Sequence, residues 1–96
     1  MNLDKNQNDV DNKVWLITGC STGFGRALAE AVLNKGDYLI ATARKPEQLD
    51  ALINHYPDTA KALRLDVTLS QDIKAAVDSA IDTFGRIDVL VNNAGH

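Results

Sequence analysis

Thr18-Gly19-Cys20-Ser21-Thr22-Gly23-Phe24-Gly25 carries the densest signal in the sequence, with glycines spaced GxxxGxG. The run before it, Val14-Trp15-Leu16-Ile17, is wholly apolar, as expected of a strand buried on both faces. The run after it, Phe24 to Lys35, repeats Phe24, Ala27, Leu28, Ala31 and Val32 at helical spacing and ends at Gly36, a C-cap glycine. The glycine stretch is therefore a strand-to-helix turn. Gly19 permits a tight exit from the strand, and Gly25 lets the helix approach the sheet. Gly23 leaves the backbone open to a pyrophosphate, whose charge the free N–H groups of the helix start would receive. Ser21 and Thr22 add hydroxyls. An ordinary glycine-rich loop is the alternative. A nucleoside-triphosphate P-loop is excluded, because no Gly-Lys-Ser/Thr follows.

Working outward, Tyr38-Leu39-Ile40-Ala41-Thr42-Ala43 reads as a second strand. Pro46 opens a short helix with Leu49, Leu52 and Ile53 inward, closed near Tyr56-Pro57-Asp58. Ala62 to Val67 reads as a third strand, and Ser70 as the N-cap of the next helix. That helix carries Ile73, Ala76, Val77, Ala80, Ile81 and Phe84 on one face, with Gly85 closing it; Ile87 to Asn92 is a fourth strand. The order β-α-β-α-β-α-β, joined by right-handed crossovers, predicts an α/β fold. It is half of a doubly wound parallel sheet of order 3-2-1-4, with a crevice where the order reverses between strands 1 and 4. The apolar fourth strand would leave an open edge of the kind proteins avoid. It therefore needs cover from another segment or a complementary chain, and without it would favour aggregation.

The bulk properties narrow the function classes. Ninety-six residues suffice for one small domain. A net charge of −3 gives no support to nucleic-acid binding. No apolar stretch is long enough for a membrane span, and residues 1–12 form a polar lead-in without the pattern of a secretory signal. The single cysteine, Cys20, cannot form an intrachain disulfide, which favours a reducing, cytoplasmic setting.

Other candidate residues follow the strands. Strand 2 ends at Ala43, where an acidic residue would hold the ribose hydroxyls of NAD; Arg44 and Lys45 come next. No carboxylate is placed to repel a 2′-phosphate, and Arg44 offers a planar set of donors for one, favouring NADP, with NAD the alternative. A solvated basic pair is the other reading. Asp66 can accept from an adenine amino group while Val67 walls the ring; a turn or helix-cap aspartate fits equally. In Asn92-Asn93-Ala94-Gly95, the Asn side chains can bridge strand ends while Ala94 and Gly95 leave room for a ribose; a plain turn is the alternative. Cys20 lies near a helix start that would lower its thiol pKa, but it has no basic partner and reads as filler. His55 and His96 lack metal-ligand spacing, and Asp78, Asp82 and Asp88 read as solvated positions.

Taken together, the glycine stretch, Asp66-Val67 and Asn92-Asn93-Ala94-Gly95, each after its strand, resemble the classical short-chain dehydrogenase/reductase family over Val14 to Gly95. The resemblance implies that residues 13–96 are the N-terminal part of a Rossmann-type NAD(P)-binding domain. Gly19, Cys20, Ser21, Thr22, Gly23, Phe24 and Gly25 would surround the pyrophosphate and nicotinamide-side ribose. Arg44 would contact the 2′-phosphate of NADP, and Asp66 and Val67 would hold adenine. Asn93, Ala94 and Gly95 would lie along the nicotinamide-side ribose, with Asn92 bracing the strands. The family transfers a hydride between the nicotinamide and a carbonyl or alcohol carbon of a small substrate. Its members are usually homo-oligomers. Its proton-handling Tyr, the Lys four residues later, a Ser and a further Asn all lie beyond the Asn-Asn-Ala-Gly motif, whereas this sequence ends at His96. Neither Tyr38 nor Tyr56 has a Lys four residues on. The expectation is thus a cofactor-binding part with no catalytic or metal-binding residue of its own. A non-catalytic nucleotide-binding fragment, or half of a split protein, is the alternative.

Overall fold

A computed structural model describes residues 12–66 and 68–93. Strand β1 (Val14–Ile17) leads through the glycine stretch into helix α1 (Gly23–Lys35). Strand β2 (Tyr38–Ala43) is followed by a 3-10 turn (Pro46–Leu49) and the short helix α2 (Asp50–His55). Strand β3 (Ala60–Arg64), helix α3 (Ser70–Phe84) and strand β4 (Val89–Val91) complete the series. The four strands form one parallel sheet of order β3-β2-β1-β4. This is the Rossmann-type half-fold expected from the order of elements, with Gly36 and Gly85 ending α1 and α3.

The topology dictates two cores. The chain steps outward from β1 to β3 with α1 and α2 on one face, then recrosses to β4 with α3 on the other. Ile17, Leu39, Ala41 and Ala43 pack with Ala29, Val32, Leu33, Leu49 and Leu52 on the first face. Leu16, Ile40 and Leu65 pack with Ala76 and Ala80 on the second. Neighbouring β-residues point to opposite faces, so an apolar β1 is required by both layers at once.

Several expected boundaries shift. The buried face of α1 is Gly25, Ala29, Val32 and Leu33; Leu28 is half-buried, Ala27 and Ala31 are exposed, and Phe24 is 68% exposed. Gly25 and not Phe24 is thus the inward residue of the first turn. In α3 only Ala76 and Ala80 are fully buried, while Ile73 and Ile81 are exposed. Strand β3 starts earlier than expected, because the N–H of Leu39 donates to Thr59 O at 2.8 Å and Ala60 already pairs with Leu39. It stops at Arg64, and Val67, expected to end it, lies outside the described residues. The residue capping α3 is Leu69 rather than Ser70. The Asp66–Leu69 turn, with the Leu69 N–H donating to Asp66 O at 2.9 Å, sets the cap one residue before the hydroxyl. Strand β4 has three residues rather than six. The Asp88 carboxylate takes the Val14 N–H at 2.9 Å while the Asp88 N–H donates to Val14 O at 2.8 Å, so Asp88 clasps the start of β1 just ahead of the paired residues of β4. Asp88 is therefore not the idle solvated residue expected from sequence: it also accepts from Arg86 Nε at 2.8 Å, while Arg86 Nη2 donates to Asn12 O.

At the same amino-terminal edge of the sheet, Asp37 is 1% exposed. Its carboxylate accepts from the Lys13 N–H at 3.1 Å and from Trp15 Nε1 at 2.9 Å, with Lys35 Nζ at 3.8 Å. The Tyr38 N–H returns to Lys13 O at 2.9 Å. A buried carboxylate thus pins the start of β1 to the start of β2.

Replacing Asp37 by Ala strands the indole and amide donors and is expected to destabilise the fold by about 2–3 kcal/mol; an unchanged urea midpoint would refute this. The Val14 amide, then Arg86, holds the Asp88 carboxyl below its ordinary value of 3.8. A depressed folded-state value means stability that is present above 3.8 and lost as pH falls through 3.8 and below. Urea midpoints measured down through that range should fall, and Asp88→Asn should flatten the dependence; an equally steep acid limb in the variant would exclude Asp88 as its source.

Candidate functional site

The carboxyl ends of the strands bring the glycine stretch, Arg44, Asp66, Asn92 and Asn93 to one end of the sheet. Ligands bind in such sheets where the strand order reverses, here between β1 and β4. Thr18 is the residue on which that junction closes. Its N–H donates to Val91 O at 3.0 Å, and its hydroxyl donates to Asn92 Oδ1 at 3.2 Å and accepts from the Asn93 N–H at 2.8 Å. Asn93 Nδ2 then reaches Gly19 O at 3.1 Å. Both asparagines brace the crevice, so Asn93 shares the role that the sequence reading gave mainly to Asn92.

Gly25 completes the knot. A Cβ built there would collide with Gly19 O and stand 2.6 Å from Asn93 Nδ2. Only glycine allows the first turn of α1 to sit directly on the loop. On the other side the Cys20 N–H donates to Thr42 O at 2.9 Å and Thr42 Oγ1 donates to Ile17 O at 3.2 Å. Thr18 and Thr42 were not singled out from the sequence. The available signal was a hydroxyl at the opening of the glycine stretch and a polar residue inside an otherwise apolar strand.

The outer half of the loop is open. Thr22, Gly23 and Phe24 are exposed and Ser21 is half-buried. Gly19 and Gly23 have φ of 70° and 63°, and a Cβ on Gly23 would meet nothing within 4 Å. Thr22 caps α1 without a side-chain hydrogen bond among the described residues, so the helix start presents backbone N–H groups to any anion. Backbone donors, a side-chain-free approach and a rigid base are what a pyrophosphate requires.

Cys20 is fully buried, its thiol donating to Ile17 O. Burial pushes that thiol up to about 11, against the smaller lowering effects of the Thr42 backbone hydrogen bond and Arg26. Desolvation outweighs any lowering by the helix start, in line with reading Cys20 as filler and not as a nucleophile.

Asp66 takes the turn role open to it. Its Oδ1 accepts from the Thr68 N–H at 3.0 Å and Oγ1 at 2.6 Å, making the turn that precedes α3. These bonds, then the charges of Arg44 and Arg64, hold its carboxyl below the ordinary range. Arg44 and Lys45 are exposed beyond β2. Val67, Ala94, Gly95 and His96 lie outside the described residues. Tyr38 stacks on Phe84 with centroids 5.1 Å apart, and Tyr56 sits edge-on to His55 at 4.6 Å; neither joins the crevice. Among the described residues no His/Cys/Asp/Glu cluster could hold a metal, and no helix is long and apolar enough to cross a membrane. A groove of about 630 Å³ between α1 and α2, lined by Arg26, Glu30, Asn34, His55 and Tyr56 among others, includes none of the crevice residues.

Comparison with known proteins gives one answer. Residues 13–96 match the short chain dehydrogenase family. An oxidoreductase of Botryotinia fuckeliana is 53% identical over 85 residues, covering 88% of this chain and 31% of the relative. A 3-oxoacyl-(acyl-carrier-protein) reductase of Haemophilus influenzae is 38% identical, covering 90% of this chain and 36% of the relative. Among solved structures, a short-chain dehydrogenase from Streptomyces avermitilis superposes with a TM-score of 0.84 at 52% identity, over 88% of this chain and 31% of that one. A 3-ketoacyl-(acyl-carrier-protein) reductase from Brucella melitensis, solved in complex with NADH, gives 0.76 at 32% identity, over 81% and 32%. The chain spans about a third of the length of these relatives. By sequence, strand order and structural likeness, the chain belongs to the short chain dehydrogenase family and has its NAD(P)-binding fold.

Proposed function

We propose that these residues form a nucleotide-binding module that receives the adenosine and pyrophosphate of a nicotinamide dinucleotide, and that the module carries no proton-transfer machinery of its own. The open Gly23 backbone above the braced Thr18–Asn93–Gly19 junction is the observation that carries this reading. Gly19 through Phe24 face the pyrophosphate, with Gly25 seating α1 beneath them. Asp66, with Val67, takes the adenine edge, and the carboxylate that anchors Thr68 accepts from the amino group as well. Asn93, Ala94 and Gly95 border the nicotinamide-side ribose. Arg44, without an acidic residue at the end of β2, favours NADP over NAD.

The oxidoreductase reading follows for the whole protein. A bound nicotinamide would exchange a hydride with the carbon of a carbonyl or alcohol. The residues of this chain hold and orient the cofactor, and a Tyr-Lys pair from a complementing segment would deliver or remove the proton. That segment would also cover the outer edge of β4, and the complete protein would be a cytoplasmic homo-oligomer.

Titration of the chain with NADPH and NADH, followed calorimetrically, tests the module. NADPH should bind more tightly, and Arg44→Ala should weaken NADPH by roughly tenfold while sparing NADH, the worth of one charge-assisted hydrogen bond. Equal affinities in the starting chain would remove the NADP preference. Binding of neither nucleotide would remove the module reading altogether.

A further inference from the structure

A second arginine lies at the carboxyl end of the strand next to that of Arg44 and has no part in the assignments above. Arg64 ends β3 and pairs in register with Ala43, the last residue of β2. The Leu65 N–H donates to Ala43 O at 3.0 Å, locking the two strand ends side by side. Arg44 and Arg64 therefore leave adjoining strands at the same carboxyl edge, and both lie close enough to Asp66 for their charges to act on it.

Arg64 is held there loosely. Its side chain is 59% exposed and touches Asp72 Oδ2 through Nη1 at 3.3 Å. The same Asp72 oxygen accepts the Asp66 N–H at 3.1 Å. Asp72 thus keeps a firm task at the head of α3 when Arg64 departs, and an exposed pair of this kind is worth little. A phosphate monoester carries about −1.5 to −2 charges at neutral pH and three acceptor oxygens, more than one guanidinium neutralises.

We propose that Arg64 is a specificity-determining residue that leaves Asp72 to share the 2′-phosphate of the dinucleotide with Arg44; this rests on the NADP reading of the crevice. Arg44 approaches the phosphate from the end of β2 and Arg64 from the end of β3. The swap exchanges a solvated carboxylate contact for a phosphate contact and leaves the Asp66–Asp72 bond in place. A ligand without the 2′-phosphate offers Arg64 nothing, so Arg64 contributes to discrimination and not to general nucleotide affinity.

The test uses the adenosine half of the cofactor alone. The chain and its Arg44→Ala, Arg64→Ala and Arg64→Lys variants are titrated with adenosine 2′,5′-bisphosphate and adenosine 5′-monophosphate. The expected result is that Arg64→Ala weakens the bisphosphate by about tenfold with the monophosphate unchanged, and that Arg64→Lys recovers part of the loss. If Arg64→Ala leaves the bisphosphate-to-monophosphate ratio intact while Arg44→Ala collapses it, Arg64 has no such role and the NADP reading stands. If Arg64→Ala weakens both ligands alike, its role is structural and the inference is overturned. If the unaltered chain does not distinguish the two ligands, the NADP reading itself fails.

Discussion

The contact of Gly25 with the Gly19 carbonyl and the Asn93 amide governs the rest of the structure. A helix normally stands off its sheet by the thickness of two side chains. Here α1 descends until its backbone meets the loop, because a Cβ at Gly25 has no room. That approach puts Gly25 on the inward face of α1 with Ala29, Val32 and Leu33. Asn93 completes the contact from β4, 74 residues along from Gly19. The glycine loop is therefore clamped by Asn93, just beyond the end of β4. The fold must be complete through β4 before the loop has its working shape.

The two ends of the sheet solve different problems. At the amino-terminal edge, carboxylates take up backbone donors: Asp37 binds the Lys13 N–H and the Trp15 indole, and Asp88 binds the Val14 N–H. Charge is spent on register there, and little is left to meet a ligand. At the carboxyl end of the β1/β4 junction the fixing is done by neutral groups, namely Thr18, Thr42, Asn92 and Asn93, while Asp66 and Asp72 brace the turn after β3. Neutral bracing leaves the positive potential of the α1 start uncancelled, which is the condition an anionic ligand needs.

Element types and strand order were legible in the sequence because they rest on short-range facts: an apolar run, a glycine turn, a helical repeat, and the handedness of crossovers. The family signature was legible because three motifs recur after three strands. The departures share one cause. Helix phase, strand ends and caps were decided by contacts between residues distant in sequence. Gly25 and not Phe24 turns inward in the first turn of α1, where only glycine fits against Gly19 O and Asn93 Nδ2. Asp88 turns its carboxylate to the Val14 N–H instead of to solvent. Asp66 and Asp72, bonded to each other across the loop, hold the turn that puts the cap of α3 at Leu69 in place of Ser70.

The distribution of apolar surface bears on how the module would be used. Leu90 stands in register with Leu16, on the α3 face of the sheet, yet it is 56% exposed. Ile73 and Ile81, two turns apart on α3, are exposed as well. Their inward neighbours Ala76 and Ala80 are small, so α3 lies close over Leu16 and Ile40 without spreading over β4. A larger residue at Ala76 or Ala80 would lift the helix and open the core between β1 and β2. Small residues secure the α3–β1 contact at the cost of leaving β4 half-covered. The crevice at β1/β4 is thus built on its β1 side by a packed wall and on its β4 side by a thin one. That division matches the division of labour proposed for the protein: the chain fixes where the nucleotide lies, and what packs against β4 decides what chemistry meets its reactive end.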